Sequence, residues 1–194
     1  MAAQAAHSSA EWYTVDRRGL AKILDRRGRQ FAIYELLQNA WDEPGVTKVE
    51  ISLRPTENAT GFADLIVIDD APDGFSDLRH AFTLFAPSKK ASNPTLSGRF
   101  NLGEKLVLAL CKSGSIRSTK GAVIFSEDGR REEPRYKTER GSIVSMQIRM
   151  RRGDLAACEK AMPLLIPPFD ITTLYNGQPV RQRHGGLAAR RTAA

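Results

Sequence analysis

The chain has 194 residues, of which 41% are hydrophobic and 26% charged, and its formal net charge is +7. This length suits one globular domain with a buried core. No apolar run approaches the roughly 20 residues of a membrane-spanning helix, and the N-terminus lacks a signal-peptide pattern, so we expect a cytoplasmic protein that does not enter a membrane. The two cysteines, Cys111 and Cys158, lie in apolar helical patterns, which predicts buried, reduced thiols.

The first predicted elements are two helices and two strands. Residues 1–14 are mostly small and polar and are predicted to be disordered, whereas 15–27 fit a short helix. A stronger helix is predicted over 30–42, where a Pro-Gly pair ends it. The segments VTKVEISLRP (46–55) and ADLIVIDD (63–70) predict two strands, the first from its alternation of apolar and polar residues.

The middle of the chain is predicted to hold a loop, a helix and several strands. A short helix is predicted over 76–85, and the Ser-, Pro-, Asn- and Lys-rich residues 86–98 are typical of a long mobile loop. Residues 102–111 are predicted to be helical. Successive antiparallel strands joined by turns are then predicted in GSIRSTKGAVIFS, REEPRYKTE and GSIVSMQIRM.

The last predicted elements are a helix and a hairpin. Asp154 is expected to cap a helix that runs to Leu164, and ITTLYNGQPV (171–180) predicts a strand, an Asn-Gly turn and a return strand. The elements together predict an α+β fold in a single domain over 15–180, a two-layer sandwich with helices on one face of a mixed, mostly antiparallel sheet. Residues 181–194 are predicted to be a disordered basic tail.

Three polar residues share one face of the helix predicted over 30–42. Glu35, Asn39 and Asp42 are spaced by four and then three residues, which places them on one side of a helix. One interpretation is a stripe in contact with water. The other is a site in which the carboxylates activate a water molecule and the amide oxygen completes a Mg²⁺ shell.

Two further stretches carry candidate binding groups. Asp69 ends a hydrophobic strand just before a tight turn, so it is either part of a simple turn or an acceptor for an adenine amino group. GRFNLGEKLVLALC (98–111) looks like a P-loop, but Lys105 comes one position late and Leu106 replaces the required hydroxyl. A glycine loop that enters a helix still favours anions, because backbone N–H groups and the helix N-terminus point to one spot.

Taken in order, these stretches resemble the GHKL family of ATP-binding domains, the Bergerat fold shared by gyrase B subunits, MutL proteins, large heat-shock chaperones and sensor histidine kinases. The E-x-x-x-N-A-x-D pattern is met in full. The other family motifs have looser counterparts: D-x-G-x-G at the strand end, T-S-K and G-x-x-G-x-G in the lid, and G-T before a strand. The matching residues are, in that order, Glu35, Asn39, Ala40 and Asp42; Asp69 to Gly74; Pro87-Ser88-Lys89; Gly98 to Gly103; and Gly141-Ser142.

The resemblance implies a role for each matching residue. Glu35 would be the general base, Asn39 would bind Mg²⁺ and Asp42 would support that corner of the pocket. Asp69 would accept the adenine amino group, and Gly74 would let the chain pass beneath the base. The remaining ATP-binding residues implied by the resemblance lie mostly in the lid that would wrap the phosphates: Ser88, Lys89, Gly98, Asn101, Leu102, Gly103, Glu104, Lys105 and Ser142.

The resemblance therefore implies ATP and Mg²⁺ as cofactors and a slow, lid-gated ATPase that acts as a conformational switch. Ala71, one extra residue before Gly74, and Asn101 depart from the family motifs. Too few residues follow Pro168 for the second domain found in gyrase and MutL relatives. We expect either a truncated or minimal version of such a protein, or a chain that works with a partner protein or a second copy.

Two other functions stay open. One is a nucleotide-sensing module that does not hydrolyse ATP. The other is a DNA-associated ATPase component of the topoisomerase or repair kind. The basic stretches 17–29, 149–152 and 181–191 are either solvated surfaces or attract nucleic acid.

Overall fold

The structure, a computed structural model, describes residues 19–22, 26, 28–75, 78–81 and 103–181, with the backbone alone for 80, 81 and 103–106. The described residues include three long α-helices and eight strands. The helices are α1 (Gln30–Trp41), α2 (Gly103–Leu110) and α3 (Arg152–Ala161), with 3-10 helices at Leu78–Ala81 and Met162–Leu164. The strands are β1 (Lys48–Pro55), β2 (Phe62–Asp69), β3 (Cys111–Ser118), β4 (Gly121–Ser126), β5 (Gly129–Glu133), β6 (Ile143–Arg149), β7 (Thr172–Tyr175) and β8 (Gln178–Pro179).

The eight strands form one mixed sheet in the order β5-β4-β3-β6-β2-β1-β7-β8. β1 and β7 are parallel, and every other neighbouring pair is antiparallel. The register pairs Ile51 with Val67 and Leu65 with Met146, so the apolar residues of neighbouring strands lie on the same face. The predicted α+β class with a mixed, mostly antiparallel sheet is confirmed.

The helices pack on one face of this sheet. α1 buries its apolar positions Ala32, Ile33, Leu36, Leu37 and Ala40, which recur at the three- and four-residue spacing of a helix face. They join side chains of β1, β2 and β6, together with residues of α2 and α3, in one hydrophobic cluster. Each large side chain buried there contributes about 1.5–3 kcal/mol to folding, which fixes α1 against the centre of the sheet.

Several predicted boundaries are wrong for identifiable reasons. The helix predicted over 102–111 ends at Leu110, and Cys111 begins β3, where it pairs with Ile148. The helix that Asp154 was predicted to cap begins two residues earlier, at Arg152. Asp154 lies in its first turn, where its carboxylate accepts a hydrogen bond from the Arg151 N–H at 2.8 Å. Beyond Ala161 the chain continues as a 3-10 helix, which the helical spacing of its apolar residues does not distinguish from an α-helix.

The strand predicted over 131–139 also differs from the structure. It covers only Gly129–Glu133, since Pro134 lacks the N–H that would continue the ladder. β6 does not follow β5 in the sheet but lies between β3 and β2. Both cysteines are buried and free, as predicted. The hairpin over 171–180 is confirmed: Asn176 and Gly177 have φ of 48° and 82°, as a tight hairpin turn requires.

Parts of several predictions lie outside the described residues. They are the disorder predicted for 1–14 and 182–194, most of the helix predicted over 15–27, and the loop predicted over 86–98. Of the helix predicted over 76–85, the structure describes the 3-10 helix Leu78–Ala81. Within the described parts of the chain, no helix has the length and apolar character needed to cross a membrane.

Candidate functional site

The polar stripe of α1, formed by Glu35, Asn39 and Asp42, is only partly exposed to water. Glu35, Asn39 and Asp42 are all half-buried, while their neighbour Gln38 is exposed. The side-chain Oδ2 of Asp42 is buried and has no hydrogen-bond partner among the described residues. Because a buried carboxylate oxygen without a partner is costly, a ligand or water that donates a hydrogen bond there would stabilise this corner.

Asp69 is the last residue of β2 and is 7% exposed. Its Oδ1 accepts hydrogen bonds from the backbone N–H groups of Ala71 at 3.0 Å and Ser142 at 3.2 Å. Both of these backbone hydrogen bonds end on Oδ1, and the Ser142 hydroxyl is a further hydrogen-bond donor to the carboxylate. One carboxylate oxygen is therefore used to hold the turn, and the other has the capacity to accept a hydrogen bond from a ligand.

Burial makes the charge on this carboxylate costly. Loss of hydration raises the pKa of Asp69 from 3.8 to about 6, and the nearby negative charge of Glu43 adds to the increase. The hydrogen bonds from Ala71 and Ser142 act in the opposite direction and hold the pKa down. Asp69 is thus mostly ionised at neutral pH and becomes protonated as the pH falls through about 6.

Two glycines let distant parts of the chain approach the carboxylate. A Cβ on Gly141, whose φ is +67°, would lie 1.9 Å from the carbonyl oxygen of Asp69, so no other residue fits without movement of the backbone. A Cβ on Gly74, with φ of +59°, would lie 2.5 Å from the carbonyl oxygen of Gly141. The Phe75 N–H donates to the Ser142 Oγ at 2.7 Å. The structure therefore brings Asp69, Gly74 and Ser142 together, although the first and last are far apart in sequence.

Asp70 fixes the base of this turn. It accepts hydrogen bonds from the backbone N–H groups of Thr47 at 2.7 Å and Lys48 at 2.8 Å, and from the Thr47 hydroxyl. Arg140 donates to the backbone oxygen of Asp70. Burial raises the pKa of Asp70, but the Thr47 and Lys48 hydrogen bonds and the Arg140 charge outweigh it and leave that pKa below its ordinary value. Sequence reasoning gave Asp70 no role, although the β1–β2 register predicts that it lies beside the residues preceding β1.

Three hydroxyl groups hold the same loop from outside. Ser118 donates to the Phe75 carbonyl at 3.0 Å, Thr119 donates to the Asp73 carbonyl, and Thr138 donates to the Gly141 carbonyl at 2.7 Å. These residues were missed in the sequence, because isolated Ser and Thr residues carry no signal of long-range partners. The end of β3 and the β3–β4 turn thus hold the loop over 69–75, and the connection between β5 and β6 holds Gly141 beside it.

The C-terminal end of α1 lies next to this loop. Glu43, one residue beyond Asp42, is near enough for its charge to raise the pKa of Asp69. A Cβ on Gly45 would lie 3.1 Å from Cδ of Pro72. Ala71, a departure from the family motif, is buried, and its carbonyl accepts hydrogen bonds from the N–H groups of Gly74 and Gly141. The residues that follow α1, the strand-end carboxylate and Gly141-Ser142 thus border one region.

The predicted lid is described only at its end. Ser88, Lys89, Gly98, Asn101 and Leu102 lie outside the described residues. The backbone of Gly103, Glu104 and Lys105 forms the first residues of α2, which packs against α1, while their side chains lie outside the described atoms.

A metal ion in the described parts of the chain would require a set of suitable side-chain ligands. There, no group of three or more His, Cys, Asp or Glu side chains could hold a metal ion by itself. A cation such as Mg²⁺ keeps several waters and is often bound by one or two protein groups together with substrate phosphates. The half-buried Asn39 amide fits that kind of shared coordination.

Comparison with known proteins gives no assignment: no family model matches this chain, and no curated protein matches it either.

Proposed function

We propose that this domain binds ATP with Mg²⁺ in a Bergerat-type pocket and hydrolyses it slowly. The observation that carries the proposal is the convergence of Asp69, Gly74 and Ser142 at the end of β2, where a buried carboxylate is oriented by the N–H groups of Ala71 and Ser142. The three converging residues belong to separate motifs, and in the sequence only the order of these motifs along the chain resembles the family. Their meeting at the end of β2 supports a shared role in one pocket.

The strand-end carboxylate is suited to adenine. The exocyclic amino group of adenine is a hydrogen-bond donor, whereas guanine has a carbonyl oxygen at the corresponding position. Ionised Asp69 accepts hydrogen bonds and offers no donor, so it favours adenine and repels the guanine oxygen. Since Oδ1 is held by the N–H groups of Ala71 and Ser142, the carboxylate is oriented before a ligand arrives.

The stripe on α1 is suited to the phosphate end of the ligand. Asn39 would hold Mg²⁺ through its amide oxygen, and the bound ion would neutralise phosphate charge. Glu35 lies one helical turn before Asn39 on the same face and would take the proton of the attacking water. The buried Oδ2 of Asp42 would accept a hydrogen bond from a water or ligand group in the same corner.

The arrangement of elements is compatible with this fold. One sheet face carries α1, α2 and α3, and the chain order of helix stripe, strand-end carboxylate, glycine loop and Gly141-Ser142 matches the resemblance. Closure of the lid implied by the resemblance over the nucleotide would serve as the switch, read by a partner protein or a second copy in the cytoplasm.

The test of turnover is Glu35→Ala, measured as inorganic phosphate released at saturating ATP and Mg²⁺. Loss of the general base should abolish release while ATP binding, measured separately, stays within a few-fold of the wild type. Gln38→Ala, an exposed position on the same helix, is the matched control and should turn over ATP normally. Hydrolysis at the wild-type rate by the Glu35 variant would show that another group is the base. Binding without turnover by the wild type would favour the nucleotide-sensing module.

A further inference from the structure

The sheet face opposite the helices, called here the open face, carries no helix of the described residues. Because successive side chains of a strand point to opposite faces, the residues that alternate with the core positions lie on the open face. The open face includes Arg54, Phe62, Ile68, Arg117, Ile143 and Arg149. Arg54, Ile68 and Arg149 are exposed, and Phe62, Arg117 and Ile143 are half-buried.

Positive charge on the open face exceeds what its own carboxylates neutralise. Arg54, Lys112, Arg117 and Arg149 form no ion pair with a described carboxylate. Two carboxylates of the same face are already in ion pairs, Glu50 with Lys48 and Glu133 with Arg131 at 3.1 Å. Asp64 lies opposite Arg54 in the register and accepts a hydrogen bond from the Thr56 hydroxyl at 2.8 Å, so the cations still outnumber the carboxylates. A polyanion bound to the open face would therefore pair with these cations without breaking an ion pair of the protein.

The register sets the spacing of these cations. Arg149 pairs with Phe62, and the Nζ of Lys112 lies 5.6 Å from the centroid of the Phe62 ring, so these two cations and Arg54 lie near one end of β1, β2, β3 and β6. Arg117 pairs with Ile143, six residues before Arg149 along β6, which places it about 20 Å away at the other end of the sheet. The positive charge therefore extends along the face as a track.

Apolar and aromatic surface accompanies the track. Tyr136 is 51% exposed, and the guanidinium carbon of Arg117 lies 4.4 Å from the centroid of its ring. Ile68, which is 37% exposed, lies at the same end of the sheet as Arg117, because both residues pair with Ile143. A shallow groove of about 250 Å³ lies beside Ile68, bordered by Arg54, Ile66 and Asn176. Flat rings and planar guanidinium groups are the surfaces on which unpaired bases stack.

We propose that the open face binds single-stranded nucleic acid without sequence preference. Arg54, Lys112 and Arg149 would contact backbone phosphates at one end, and a base would stack on the Arg117–Tyr136 pair at the other. Single strands are favoured over duplex because their bases are free to stack, and because a flat sheet offers no projecting helix to enter a groove. The surface lies on the face opposite α1 and does not depend on nucleotide binding.

The test is fluorescence anisotropy of a short labelled oligothymidylate with the full chain over a series of salt concentrations. Arg54→Gln/Arg149→Gln should weaken binding by about tenfold and reduce the salt slope by about 1.4, because each phosphate contact on a single strand contributes about 0.7. Lys120→Gln/Lys160→Gln removes the same charge from exposed positions in a turn and on α3, and should leave both quantities near the wild-type values. Thermal melting of each variant checks that the fold is kept.

A second variant separates nucleic acid from any polyanion. Tyr136→Ala should weaken oligothymidylate binding about fivefold or more, since it removes a stacking surface, and should leave binding of inorganic polyphosphate unchanged. Equal loss for both ligands, or no loss for either, would overturn the nucleic-acid assignment. Tighter binding of a duplex than of the single strand would overturn the single-strand assignment. Equal effects of the two charge variants, or no binding by the wild type, would overturn the surface itself.

Discussion

Replacing Asp69 with Asn should make the protein more stable at neutral pH. Asp69 is 7% exposed in the wild type, and burial raises the pKa of its carboxylate from 3.8 to about 6. A difference of about 2 pKa units corresponds to about 3 kcal/mol of folding free energy, at about 1.36 kcal/mol per unit. An Asn side chain has the same shape, keeps an oxygen for the Ala71 and Ser142 N–H groups, and carries no charge. We expect a gain of about 1–3 kcal/mol, because burial of the amide retains part of the cost.

The dependence on pH distinguishes this effect from better packing. Between pH 4 and 6 the folded wild type holds the Asp69 proton more tightly than the unfolded chain, so wild-type stability falls as the pH rises through this range. The advantage of the Asn variant is therefore full above about pH 6 and disappears as the pH falls toward 4. Urea denaturation at pH 8 and pH 4 measures both values.

The control for this prediction is Asp73→Asn, which changes an exposed carboxylate in the same loop and should alter stability little. A loss of stability at pH 8 in the Asp69 variant, or an equal gain at both pH values, would refute the argument that the charge on Asp69 is costly. In that case the carboxylate would contribute to the fold through its hydrogen bonds alone.

Two further predictions follow from the same turn. Gly141→Ala should destabilise the fold by about 2 kcal/mol or more, because its Cβ would lie 1.9 Å from the Asp69 carbonyl oxygen. Gly61→Ala is the control, because Gly61 has a similar φ of +82° but a Cβ there would have no atom within 4 Å. The difference between the two melting temperatures then measures the contact with Asp69 apart from the backbone strain. Equal losses of stability would contradict a role for that contact. The affinity for ATP should also fall as the pH drops through about 6, since protonation of Asp69 removes the charged acceptor. An affinity that stays constant from pH 8 to pH 5 would argue against a role for this carboxylate.

Local patterns in the sequence predict most of the elements. Alternation in 46–55 and the three- and four-residue spacing in 30–42 depend on neighbours along the chain, and β1 and α1 form where these patterns indicate. The Asn176-Gly177 turn follows from the few residues that accept positive φ. Element ends were less predictable, because the end of α2 is set by pairing of Cys111 with Ile148 in the sheet.

The candidate site was predictable only in part. The polar stripe on α1 and the strand-end position of Asp69 follow from spacing and from the end of an apolar run. The contacts of Gly74 with Gly141 and of Ser118 with Phe75 join residues far apart in the chain, and no local pattern carries that information. The position of β6 between β3 and β2, rather than beside β5, is what brings Ser142 to Asp69.

The most direct test of the central claim is calorimetric titration of the full chain with ATP and Mg²⁺, for the wild type and for Asp69→Asn. We predict saturable binding by the wild type and weak or absent binding by the variant, whose fold is confirmed by its own melting curve. GTP should bind poorly to the wild type, because the carboxylate repels the guanine oxygen. Equal binding of ATP by both proteins would contradict the placement of adenine at Asp69, and no binding by the folded wild type would contradict the proposed function.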